Sequence, residues 1–424
     1  MRPATSRRLF AVLVIGGALA ALSATSFAGA APNVQRRGAA TPKWQDFKGL
    51  RIDGDSPVLG AGWAAGRVWF TGRYRGDSMI IGSARISRGK LASFVNSQVA
   101  DSGGTLVPFL GDELAYYTGN TFDEFHLAPL LPSGRLGASK PVPEDFLASA
   151  QRRIPKACSA RALDGTAVGS RRFWAVGGAS QKKGCQAEVF GGDPFFLACC
   201  AEDGATSNPI PHINSLRGAL GVDISADTKG RIWLLWLDNT GYTGANRGIA
   251  RLVEIDPATM ALRTPPYAVP GGLVDNLKLA CGPTCRAVVQ TPGGNLASWA
   301  PGERSATTIV RKVEIVSSEE DVPRLLDASY VAGRLVVAYR AVVGKRADPR
   351  DTVLVARGDA RGRNAKVAST IETTVWWPPA KPRSPLCGNP DIYGMFVPRG
   401  LAALTVYRFG DCPVVLGTFL PLTG

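Results

Sequence analysis

Side chains suited to acid-base or metal chemistry are scarce in this sequence. Only His126 and His212 are present, which argues against a multi-histidine metal centre. His126 follows Asp123, Glu124 and Phe125 and could join a small acid-base group, although a surface-loop histidine is the plainer reading. His212 lies between Pro211 and Ile213 and reads as structural. Glu319, Glu320 and Asp321 could bind calcium or simply form a solvated acidic loop. No G-x-S-x-G elbow, H-E-x-x-H pair, P-loop or EF-hand loop occurs. No catalytic residue, metal ligand or cofactor is assigned.

Cations and aromatic residues are the richer source of chemistry. The chain carries a net charge of +15. Its candidate ligand-binding residues are Arg73, Arg75, Lys182, Lys183, Tyr242, Arg247, Lys345, Arg346, Arg350, Trp376 and Trp377. Lys and Arg pair with carboxylate or phosphate groups, and aromatic faces stack on sugar rings. Together they suit an anionic glycan or a partner protein. The plainer alternative is that the cations solubilise loops and the two tryptophans pack inside the fold.

The elements that would position these residues recur along the chain. A short apolar strand ends in a tight Gly- or Asp-containing turn, and a second strand then runs apolar and aromatic. The second strands begin at Arg67, Glu113, Arg172, Arg231, Arg286, Arg334 and Leu401, 46 to 67 residues apart. Seven hairpins at such intervals predict a radial β repeat, an all-β, seven-bladed β-propeller of four-stranded antiparallel blades over residues 44–424. The last unit is short by one strand, and Trp44 to Ile52 is an orphan strand expected to close the ring against it. A pair of β-sandwiches is the structural alternative. In a propeller, the second-to-third-strand loops and the connections between blades emerge on one face. That face would gather the cations above, with Arg152, Arg153, Lys156, Lys381 and Arg383 between blades.

The N-terminus reads as an export signal. Arg2, Arg7 and Arg8 precede an apolar run from Leu9 to Leu22, and Ala28-Gly29-Ala30 is a small-residue cleavage site. Residues 1–30 are the expected signal peptide, cleaved after Ala30, and residues 31–43 a disordered leader. The route, general secretory or twin-arginine, stays open. Removing three arginines and no acid takes the charge from +15 to +12. The mature chain is expected outside the cell or in the envelope, without a transmembrane segment and as a monomer. Its expected partner is an anionic envelope polymer or a protein. Export makes nucleic acid an improbable partner, and no nucleic-acid motif is present.

Eight cysteines in an exported chain predict disulfides. In a hairpin, directly opposed residues have position numbers with a constant sum. The turn at Pro398-Arg399-Gly400 sets Cys387 opposite Cys412. The turn at Gly191 to Pro194 sets Cys185 opposite Cys200. Cys281 and Cys285 bracket Gly282-Pro283-Thr284. Cys158 is left for Cys199. A vicinal Cys199–Cys200 bond with Cys158–Cys185 is the competing set.

One segment carries a family resemblance. Asp227-Thr228-Lys229-Gly230-Arg231-Ile232-Trp233, followed by Ile255-Asp256-Pro257-Ala258-Thr259, resembles a blade of the streptogramin-lyase-like and NHL-type propellers. The match covers one unit of seven. It implies the propeller fold and no activity: the lyase depends on histidine and acidic residues around magnesium, and neither histidine falls in this unit. The same stretch, from Ser225, loosely echoes a sialidase Asp-box with one residue too many between Asp and Gly.

These readings predict a secreted binding module. The rival is a propeller lyase or hydrolase using acids such as Asp223, Asp238 or Glu254 at the channel mouth. Clustered carboxylates at the channel would favour the enzyme, and aromatics with cations would favour binding. A purely structural module of a surface assembly is the third reading.

Overall fold

A strand buried on both faces is a near-continuous apolar run, and this is why the second strand of each repeat stands out in the sequence. Ile232–Asp238 and Cys285–Gln290 are buried along their whole length. The computed structural model describes residues 44–46, 58–74, 78–99, 109–118, 124–142, 152, 159–179, 198–201, 221–238, 247–311, 324–345, 348–372, 391–406 and 415–422. Among the described residues there is no α-helix, and the strands form seven antiparallel sheets.

In chain order, the first sheet is Val58–Ala64, Arg67–Tyr74, Ser78–Ser87 and Lys90–Val99. The second is Phe109–Leu110, Glu113–Thr118, Glu124–Pro129 and Lys140–Pro141. The third has three strands among the described residues, Ser159–Val168, Arg171–Ala179 and Ala198–Ala201. The fourth is Val222–Ala226, Ile232–Asp238, Gly248–Ile255 and Tyr267–Val274. The fifth is Asn276–Cys281, Cys285–Gln290, Leu296–Trp299 and Thr307–Val310. The sixth is Arg324–Val331, Arg334–Lys345, Asp348–Arg357 and Lys366–Glu372. The seventh is Asp391–Val397, Gly400–Val406 and Val415–Pro421, with Gln45–Asp46 as its fourth strand. Gln45 lies opposite Gly417 and Asp46 opposite Leu416. The expected extension of this strand to Ile52 lies outside the described residues.

The turns explain the regularity. Ala332-Gly333 joins two strands with φ of 49° and 73°, a two-residue turn whose twist matches the strands it links and which needs a residue tolerant of positive φ. A five-residue turn also recurs: Leu131–Arg135, Asp227–Arg231, Thr291–Asn295 and Asp359–Arg363 each bond the first N–H to the last carbonyl and the fourth N–H to the first carbonyl. Asp227 and Asp359 stabilise theirs identically. Asp227 Oδ1 accepts from the Lys229 and Arg231 N–H groups at 2.9 and 3.1 Å, and Oδ2 from Arg231 Nε at 2.7 Å. Asp359 Oδ1 accepts from the Arg361 and Arg363 N–H groups at 2.8 and 2.9 Å, and Oδ2 from Arg363 Nε at 2.8 Å. Asp227 alone of the two accepts a further bond, from Trp233 Nε1 at 3.1 Å.

The core consists of interfaces between successive sheets. One cluster joins Phe173, Trp236 and Cys285 across the third, fourth and fifth sheets, and another joins Val68, Ala402 and Phe419 across the first and seventh. Trp44 packs with Val353 and Leu420, so the N-terminal strand is docked by burial as well as by pairing. Trp69, Trp174 and Trp236, all on second strands, are fully buried. Each sheet's leading strand packs beside the next sheet's, and Asp391–Val397 packs beside Val58–Ala64.

Polar links tie the same interfaces. Arg67 Nε donates to Ser83 Oγ at 3.1 Å, and Ser83 Oγ donates to the Gly134 carbonyl of the second sheet at 2.9 Å. Arg286 and Ser298 repeat this between the fifth and sixth sheets, where Ser298 Oγ donates to the Arg361 carbonyl at 2.6 Å.

Candidate functional site

Successive connections in an antiparallel sheet alternate between its two edges. Within each sheet the second-to-third-strand connection therefore lies at the end opposite the first-to-second and third-to-fourth turns. Arg73 lies near the end of a second strand, Arg247 immediately before a third strand, and Lys345 and Arg350 flank a second-to-third connection. Four of the expected binding residues thus fall at or near this end of their own sheet, in three sheets. Arg247 is half-exposed and donates through Nε to Asp275 at 2.8 Å, so part of its charge is already compensated. Arg75, Lys182, Lys183, Tyr242, Arg346, Trp376 and Trp377 lie outside the described residues.

The acids of the enzymatic reading fall into two groups. Asp238 accepts from Arg251 Nε at 2.5 Å, and Glu254 is paired with Arg231 and Arg263 at 3.6 and 3.4 Å. These are structural ion pairs. Asp223 belongs to a different group, made with Asp164, Lys278 and Asp327, all on leading strands.

In this group each carboxylate reaches the next sheet. Asp164 Oδ2 accepts from the Ile224 N–H at 2.9 Å, Asp223 Oδ2 from Leu279 at 2.8 Å, and Asp327 Oδ2 from Phe396 at 2.6 Å. Each acid keeps some accessible surface yet is enclosed closely enough to be strongly desolvated. Burial, reinforced by the Asp223 carboxylate, raises Asp164 to about 7. Burial raises Asp327 to about 6 against the pull of Lys278, and it raises Asp223 too. Burial alone would lower Lys278, but Asp223, Asp327 and Asp164 outweigh it and raise that ammonium. Groups poised near neutrality can exchange protons, but here the oxygens are also committed as acceptors between sheets. Among the described residues no three His, Cys, Asp or Glu side chains are placed to share a metal ion.

Asp223 was among the acids expected at a channel mouth, whereas Asp164, Lys278 and Asp327 stand in no motif of the sequence. The available signal was an apolar-Asp pair in the leading strands: Leu163-Asp164, Val222-Asp223 and Leu326-Asp327. His126 is not in a loop. It sits in Glu124–Pro129, opposite Tyr116, with the two rings stacked at 5.6 Å; its apolar strand neighbours Phe125 and Leu127 explain that placement. His212 and the acidic run at 319–321 lie outside the described residues.

Cys281 and Cys285 are opposed at the end of their hairpin and form a disulfide, with Cα atoms 4.0 Å apart. Cys199 and Cys200 lie on a strand opposite Ala175 and Trp174. Cys158, Cys185, Cys387 and Cys412 lie outside the described residues.

No family model and no curated protein matches this chain. Solved structures similar to it include YCF48 from Cyanidioschyzon merolae, with TM-score 0.42 and 13% identity over 89% of this chain and 98% of that one. The β-propeller domain of the trilobed protease from Pyrococcus furiosus has TM-score 0.41 and 9% identity, covering 91% and 97%. A GH43 endo-arabinanase from Bacillus licheniformis has TM-score 0.34 and 11% identity, covering 75% and 93%.

Proposed function

We propose that the seven sheets are the blades of a β-propeller closed by the strand beginning at Trp44, and that the exported chain is a binding module for an anionic envelope polymer. The unbroken succession of leading-strand contacts, returning from the seventh sheet to the first, supports the ring. The resemblance of the fourth unit to streptogramin-lyase-like and NHL-type blades agrees with it. Residues 1–30 are the signal peptide of this reading and residues 31–43 its leader, and the mature chain acts as a monomer.

The observation that supports the binding role is that Arg73, Arg247, Lys345 and Arg350 each lie at or near the second-to-third-strand end of their own sheet. In this reading those ends share one face, Arg75, Lys182, Lys183, Arg346 and Tyr242 extend it, and Trp376 and Trp377 lie in a connection that emerges there. The test replaces Lys345, Arg346 and Arg350 by Ser and measures retention of residues 31–424 on anionic cell-wall polymer and on neutral dextran. Weaker polymer retention with an unchanged melting temperature is expected, and unchanged retention removes this loop from the site.

The leading-strand acids favour a second reading, an acid-base lyase or hydrolase acting along the central channel. Asp164 at about 7 and Asp327 at about 6 are its basis. Turnover of a glycan that disappears in Asp223→Asn, with binding retained, would support it.

A further inference from the structure

A groove of about 840 Å³ opens between the fifth and sixth sheets, within the range of small-molecule sites. Its walls are first-to-second and third-to-fourth turns, so it lies on the edge opposite the basic connections. On one side the Cys281–Cys285 disulfide fixes the turn that carries Pro283 and Thr284. On the other, the Asp359–Arg363 turn is pressed into the fifth sheet: a Cβ at Gly362, whose φ is +81°, would meet the Ile309 and Leu335 side chains at 3.0 Å.

The floor is a fixed ion pair. Arg286, its side chain only 5% exposed, donates to Glu303 through both terminal nitrogens, at 2.9 and 2.7 Å. The Ala300 N–H adds a bond at 3.1 Å. Burial would raise the Glu303 carboxyl, but these partners hold it below the usual range and therefore ionised. Above it, Arg361 is anchored through its carbonyl by Ser298 at 2.6 Å, while its guanidinium stands 59% exposed with Nε 3.6 Å from Glu303. Arg304 is exposed beside it and has no ion pair among the described residues.

We propose that this groove binds a sugar unit bearing one carboxylate. Arg304 and Arg361 present planar donor forks of the kind that grip a carboxylate in paired bonds. The ionised Glu303 beside them accepts from sugar hydroxyls and disfavours a doubly charged phosphate. Thr284, Ser305 and Thr307 supply further hydroxyl partners along the wall. The ligand is either a free uronic acid or the end of a polymer, both offering the same group. The site stands independently of the binding role assigned to the opposite edge.

Calorimetric titration of residues 31–424 with glucuronate, glucose, glucose 6-phosphate and a glucuronate-terminated oligosaccharide tests this. Glucuronate is expected to bind at least tenfold more tightly than glucose or glucose 6-phosphate. Arg304→Ser with Arg361→Ser should weaken it at least tenfold with an unchanged melting temperature, while the Lys345, Arg346 and Arg350 triple variant leaves it unaltered. Tighter binding of the oligosaccharide identifies a polymer end, and equal binding a free acid. Absence of glucuronate binding, equal affinity for glucose, or full affinity in the double variant would overturn the proposal.

Discussion

The Asp327 carboxylate accepts the Phe396 backbone N–H at 2.6 Å, across 69 residues of chain and from one sheet to the next. Asp164 and Asp223 do the same for Ile224 and Leu279. A side chain that satisfies a neighbouring strand's amide sets the spacing of two sheets as well as the ends of one bond. Asp327→Ala should lower stability by about 1–3 kcal/mol, the range for leaving a buried donor unpaired. Hydrogen exchange at the Phe396 amide should accelerate more than at amides of the first sheet. Uniform acceleration across all sheets would contradict a local staple.

The leading-strand acids also set a pH dependence. Asp164 at about 7 and Asp327 at about 6 lie above the unfolded value of roughly 3.9. The folded chain therefore binds more protons than the unfolded chain in this window. Their contribution to stability is complete below about pH 4 and is lost as pH rises through 6 and 7. Asp227, Asp359 and Glu303 are shifted down, so theirs is present above about pH 4 and lost in stronger acid. Thermal denaturation across this range should show maximal stability near pH 4–5, by the same linkage. Asp164→Asn should flatten the decline between pH 5 and 8 whatever it does to absolute stability.

Asp227 and Asp359 make the same turn bonds, but Asp227 is buried and Asp359 half-exposed. Asp227→Ala leaves Trp233 Nε1 and two backbone N–H groups without their acceptor in a desolvated site. It should cost about 2–4 kcal/mol in urea denaturation, and Asp359→Ala no more than about 1 kcal/mol. Equal losses would show that burial does not decide the worth of this turn.

The Cys281–Cys285 bridge closes a short loop. Chain-entropy reasoning assigns such a bridge about 2 kcal/mol, less than one closing a long loop. The Cys281→Ser, Cys285→Ser double variant should fall by about that amount in urea denaturation. Peptide mapping of the unreduced protein should recover the two cysteines linked.

The features legible in the sequence were those written in consecutive residues. Ile232 to Leu237 is apolar on every residue because sheets pack on both its faces, and Cys281 and Cys285 announced their bond by bracketing one turn. The docking of Trp44 followed from a last repeat that lacked a strand. The Asp164, Asp223 and Asp327 staples were harder to see because their partners are backbone amides 56 to 69 residues away, and a backbone amide has no residue-type signature. The groove was illegible for the same reason. Arg286 comes from a strand and Glu303 from a turn of the fifth sheet, and Arg361, from a turn of the sixth, joins them only when the two sheets pack.

The binding role is tested most directly by titrating residues 31–424 with purified anionic cell-wall polymer at low and high salt. Exposed cations act through a field that shrinks from about 10 Å at 0.1 M salt to about 3 Å at 1 M. Saturable binding at low salt, weakening steeply with added salt and weakened further by replacing Lys345, Arg346 and Arg350 with Ser, is the predicted result. No binding at low salt, or binding indifferent both to salt and to the triple variant, would contradict it.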